Sequence, residues 1–111
     1  MIAPNRSADG VQVWVATQPV DMRKGFDGLA EVVRAFLGHD PLSGSLFVFR
    51  NRSAQRLKIL WYDRDGPTLD YKRLDRGVFR FPAGDDRAIA IDSGQLLRLL
   101  SGLTVVATRT P

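Results

Sequence analysis

The stretch from Ser45 to Phe81 most constrains this chain, because it is built of short apolar runs separated by charge and turn chemistry. Leu46-Phe47-Val48-Phe49, Leu57 to Tyr62, Leu69 to Leu74 and Val78 to Phe81 are too short for helices that bury a face. Their β-branched and aromatic content reads as strands joined in hairpins. Most of the positive charge lies in the same stretch: Arg50, Arg52, Arg56, Lys58, Arg64, Lys72, Arg73, Arg76 and Arg80, against Asp63, Asp65, Asp70 and Asp75. The whole chain carries a formal net charge of +4, so everything outside this block is close to neutral.

A chain of 111 residues fits one domain, and 44% hydrophobic with 25% charged residues is an ordinary globular composition. The basic balance favours polyanionic partners such as nucleic acid, although charge argues about association and not about fold. Without cysteine there is neither a disulfide framework nor a thiolate metal site, which suits a cytoplasmic protein. Met1 to Gly10 lacks the apolar core of a signal peptide, and no apolar run approaches the roughly 20 residues that span a bilayer. The expected organisation is a flexible lead-in over 1–10, one domain over 11–107 and a frayed tail over 108–111.

Val11 to Ala16 alternates as a strand. From Asp21, the apolar residues Met22, Phe26, Leu29, Val33 and Phe36 recur at helical spacing, which predicts one long helix from Asp21 to Leu37 with Asp21 as its N-cap and Gly38 as its stop. Asp92 with Gln95 forms a capping-box pattern before Leu96, Leu97, Leu99 and Leu100, a short helix closed by Gly102. Ala88 to Ile91 reads as a short strand, and Leu103 to Ala107 as a final strand or a tail. In the central hairpins the expected register sets Arg50 opposite Arg56, with Phe49 against Leu57 and Phe47 against Ile59 on one face. A three-residue turn at Arg64-Asp65-Gly66 then sets Tyr71 against Ile59 and Lys72 beside Lys58 on the other, whereas a two-residue turn would flip that parity.

Catalytic chemistry is poorly represented. His39 sits in a turn with no matched acid and reads as a solvated loop residue. Asp63-Arg64-Asp65-Gly66 resembles the start of a calcium loop but has no closing Glu, so a hairpin turn explains it better. No catalytic, metal or cofactor site is expected. The basic block suits phosphate binding, with Lys and Arg neutralising charge and Tyr stacking on exposed bases; a sheet face merely kept soluble by its cations remains the alternative. Arg23 and Lys24, in the expected first helical turn, oppose the helix dipole and so suggest an anion site. Gly25 and Gly28 suggest a close approach of another backbone or a ligand to that side of the helix, with tight helix-to-sheet packing as the favoured alternative.

The segments Asp21 to Leu29, Leu46 to Arg52, Lys58 to Asp63 and Tyr71 to Gly77, with Phe79 and Pro82, resemble the TnpB accessory proteins of insertion-sequence family 66 over roughly Val11 to Gly102. Asp75 stands where that family commonly has Glu, and Phe81 where it often has Trp. The resemblance implies a bacterial mobile-element protein that works beside a separate transposase and another small accessory protein, the catalytic acids of strand transfer belonging to the transposase.

The expected fold is α+β: a mainly antiparallel sheet of central hairpins, one long helix packed on it and a short C-terminal helix. The expected function is that of a non-enzymatic accessory factor for transposition that binds DNA, such as the element ends. Arg50, Arg52, Arg56, Lys58, Lys72 and Arg73 would contact phosphates, Tyr62 and Tyr71 would stack, and Arg23 and Lys24 would form the separate anion site. The alternative is a protein-interaction module that recruits or organises the transposase through the leucine-rich helix from Asp92 to Gly102 or the exposed aromatic residues, the basic block then meeting acidic protein surface. Either way the chain is expected to work without a membrane, and as an oligomer if its partners require one.

Overall fold

The computed structural model describes residues 11–102. The expected lead-in, the expected strand Leu103 to Ala107 and the tail lie outside the described residues. Five strands form one sheet: β1 (Val13–Ala16), β2 (Leu46–Arg50), β3 (Arg56–Asp63), β4 (Gly66–Arg73) and β5 (Ala88–Ile91), in the spatial order β4-β3-β2-β1-β5. Helix α1 (Phe26–Val32) lies between β1 and β2 in sequence, and α2 (Ser93–Leu100) follows β5. The domain is α+β, but its sheet is mixed and not mainly antiparallel. A helical crossover returns the chain so that β2 runs parallel to β1, while β1–β5, β2–β3 and β3–β4 pair antiparallel.

The sheet is covered on both faces. Leu29, Ala30 and Val33 pack against Phe47, Phe49 and Leu60 on one side. On the other, Leu96, Leu99 and Phe79 pack against Val13, Val15, Val48, Leu57 and Ile59. The unbroken run Leu46-Phe47-Val48-Phe49 is what a strand buried on both faces requires, since alternate residues enter different cores. Phe47, Val48 and Phe49 have no exposed surface.

This two-sided burial corrects the expected registers. Phe49 pairs with Lys58 and Val48 with Ile59, one residue away from the expected alignment. Asn51 extends the pairing by hydrogen-bonding Arg56 through both its backbone N–H and its side-chain oxygen, and Ala54 closes the loop at φ +59. In the second hairpin Asp63 pairs with Gly66, so the turn has two residues, Arg64 and Asp65. Gly66 sits at φ +137, a conformation that residues bearing a Cβ rarely adopt. Tyr71 therefore faces Lys58, and Lys72 faces Leu57 on the opposite side of the sheet.

The long helix is also corrected. Asp21 does not cap it; its carboxylate folds back on Arg23, and Lys24 N–H donates to Asp21 O to close a local turn. Gly25, in extended geometry at φ −91 and ψ −160, starts a seven-residue helix instead. Val33 to Leu37 then widens into a π-helical turn, ended as expected by Gly38 at φ +74. Arg87 clasps this turn, its guanidinium 4.6 Å from the Phe36 ring centre and donating to Phe36 O at 3.1 Å. The capping box of α2 forms as read, with Gln95 N–H donating to Asp92 at 2.8 Å and Asp92 N–H to Gln95 at 2.8 Å. Val78 to Phe81 is not a strand: Phe79 drops into the core and its N–H donates to Ala54 O at 2.7 Å.

Candidate nucleic-acid interface

Side-chain alternation decides where each cation projects. On β3, Arg56 and Lys58 share a face with Leu60; on β4, Tyr71 and Arg73 share it with Leu69. This is the face on which α1 packs. Arg56 lies directly opposite Arg73, and Lys58 opposite Tyr71. Both arginines are exposed, and neither guanidinium has a hydrogen-bond or ion-pair partner among the described residues. Like charges placed opposite each other across two strands repel, so this pair lowers stability unless an anion joins it.

Lys58 differs from its neighbours. Its ammonium donates to Met22 O at 2.7 Å and Lys24 O at 2.9 Å, which ties the 21–25 turn over the outer sheet. It also lies 6.0 Å from the centre of the Tyr71 ring. Asp21 accepts from the Arg23 side chain at 2.7 Å and from its backbone N–H at 2.9 Å, and these bonds lower the Asp21 carboxyl to about 2. Met22, Arg56, Lys58, Leu69 and Tyr71 together line an open cleft of about 370 Å³.

The other expected contacts lie elsewhere. Arg50 projects to the opposite face, donating to Thr17 O at 3.2 Å and to Arg52 O at 3.3 Å, with its guanidinium 5.8 Å from the Phe81 ring centre. Lys72, on that same face, donates to Leu100 O at 2.7 Å, where the last carbonyls of α2 favour a cation. Tyr62 is on the α1 face but four residues along β3 from Lys58, roughly 13 Å away along the strand. Arg52 is exposed in the β2–β3 loop.

Arg23 and Lys24 precede the helix rather than occupy its first turn, and Arg23 is paired with Asp21. The space that a side chain at position 28 would enter is taken by the Lys24 stem. The structure thus brings together Arg56, Lys58, Tyr71 and Arg73, and adds Met22 and Leu69, which the basic pattern alone did not single out. Nor is His39 simply solvated: it is half-buried, with its ring 4.2 Å from Trp14 and 6.0 Å from Phe47 between centres, and burial lowers its pKa from the ordinary 6.5.

Fold and surface define a small α+β domain that carries a cation-bearing, aromatic-flanked face at the outer end of a mixed sheet. The chain belongs to the family described as IS66 Orf2-like proteins, TnpB of IS66, whose model matches residues 11–110. This membership gives it an accessory role in transposition. Two relatives come from Sinorhizobium fredii (strain NBRC 101917 / NGR234). The uncharacterized protein y4hO is 50% identical over 97 residues, covering 87% of this chain and 84% of its own. The uncharacterized protein y4jC is 40% identical over 103 residues, covering 93% of this chain and 86% of its own. No solved structure gives a significant match. No helix among the described residues is long and apolar enough to cross a membrane.

Proposed function

We propose that the chain is a non-enzymatic accessory factor of IS66-type transposition that holds DNA in the cytoplasm against the outer β3–β4 face. The observation that carries this reading is the unpartnered Arg56–Arg73 pair beside the exposed Tyr71. A phosphate bridging the two guanidiniums removes their repulsion and releases counterions. Arg52 lies within the neighbouring loop and extends the positive surface past the end of the hairpin. Arg50, Lys58 and Lys72 act indirectly, since their charges are engaged by backbone carbonyls of the fold.

The test is binding to the element's terminal repeats across a salt series. Affinity is expected to fall steeply with salt, and Arg56→Ala with Arg73→Ala to weaken binding and reduce the slope of log K against log salt by about 2. Arg98→Ala, on α2, is the control and should change little. An unchanged affinity in the double variant would remove this face from the model.

A second reading, a module that organises the transposase and the other accessory protein, is favoured by a different feature. Ala16, Pro19, Val20, Val32 and Phe36 line a largely apolar groove of about 650 Å³ between the end of β1 and α1. The leucine-rich α2 is less suited, because Leu96 and Leu99 are buried in the core and Leu97 alone is strongly exposed. Retention of the transposase on the immobilised chain in nuclease-treated lysate, lost in Val20→Arg, supports this reading; loss of retention on nuclease treatment sinks it.

A further inference from the structure

We infer that the β3–β4 face takes single-stranded rather than duplex DNA, by stacking a base on Tyr71; this rests on the DNA-binding reading above. A duplex keeps its bases stacked inside and presents phosphates to a surface that needs only cations. The cleft here offers something different. Leu69 and Met22 give it apolar walls, Tyr71 stands 52% exposed, and Arg56 and Arg73 sit beside it across the two strands. An apolar, aromatic-walled recess next to a cation pair matches one unstacked base and its flanking phosphates, the arrangement by which single strands are held without sequence readout.

Lys58 explains why the ring is available. Its ammonium, fixed by Met22 O and Lys24 O, lies 6.0 Å from the Tyr71 ring centre and so braces the ring against the sheet. The same two bonds hold Met22 at the cleft wall, so the recess is formed before any ligand arrives. No carboxylate is paired with these cations: the two ion pairs among the described residues are Arg23–Asp21 and Arg34–Glu31. Charge complementarity therefore favours a polyanion over an acidic side chain of the fold itself.

The experiment compares a labelled thymidine oligonucleotide of about 12 nucleotides with a duplex of equal length, by fluorescence anisotropy at fixed salt. The single strand should bind more tightly. Tyr71→Leu should weaken single-strand binding about five-fold or more, more than it weakens duplex binding, and be rescued by Tyr71→Phe, which keeps the stacking ring. Duplex binding equal to or tighter than single-strand binding overturns the inference, as does a neutral Tyr71→Leu. Either result leaves the arginine–phosphate reading standing if Arg56→Ala with Arg73→Ala still loses affinity. Failure of the wild-type chain to bind either nucleic acid overturns both.

Discussion

Strand β1, paired on both sides by β2 and β5, and strand β4, at the outer edge of the sheet, obey different rules. Every residue of β1 is buried or half-buried, whereas Asp70, Tyr71, Lys72 and Arg73 at the end of β4 are all exposed. The inner strands are specified by apolar side chains entering two cores. The outer hairpin is specified by where its cations find oxygen. Two charges only two residues apart on β3 illustrate the point: Lys58 is closed off by two carbonyls, and Arg56 is left to the solvent. Position in the sheet, and not residue type, decides which cations hold the fold and which remain for a partner.

The largest test of this contrast is truncation of one aromatic residue on an inner strand and one on the edge strand. Phe49→Ala should cost about 3–5 kcal/mol in urea unfolding, because it empties a fully buried site. Tyr71→Ala should cost less than about 1 kcal/mol. Equal losses would break the distinction between inner and edge strands.

Next in size is Lys58→Met. It keeps the stem but loses both carbonyl bonds, and should cost about 1–2 kcal/mol after allowing for partial exposure. Faster amide exchange in the 21–25 turn would accompany the loss, and an unaltered turn would show that Lys58 does not hold it.

A smaller effect is expected from pH beside the inner strands, where His39 touches Trp14 and Phe47. The His39 pKa is lowered by burial, so below the ordinary 6.5 the unfolded chain takes up the proton first. Stability should be full above 6.5 and decline as pH falls from there toward the lowered folded value. The urea midpoint should therefore drop between about pH 7.5 and 5.5, and His39→Gln should flatten that drop. Smallest of all, Arg73→Ser should raise stability by a few tenths of a kcal/mol, because it relieves the cross-strand repulsion with Arg56.

Much of this was legible in the sequence where local chemistry acts alone. The capping box at Asp92, the Gly38 stop and the strands β2, β3 and β5 follow from neighbours in the chain. The registers did not, because the expected alignment assumed one buried face, on which a slipped Lys58 would bury its charge. The turn containing Met22 and Lys24, some 35 residues earlier, supplies the oxygens that make that slip tolerable. The misplaced helix start has a local cause instead. Asp21 has the composition of an N-cap, but Arg23 two residues on competes for its carboxylate. The gathering of Arg56, Tyr71 and Arg73 is half legible: the pattern singles out the residues, but their separation from Arg50 depends on the β2–β3 register and that from Lys72 on the two-residue β3–β4 turn.

The pairing of β1 with β5 sets the order in which the molecule can assemble. Val13 meets Ile91, so an inner strand made near the start of the chain waits for one made near its end. The β2–β3–β4 meander needs only local turns and can form early, whereas closing β1 against β5 requires a loop of almost the whole described chain. During synthesis, one edge of β1 and the core face covered by α2 stay open until residues 88–100 have left the ribosome. Fragments that stop before β5 should therefore be sticky rather than partly active, and the chain should gain its surface and its solubility together.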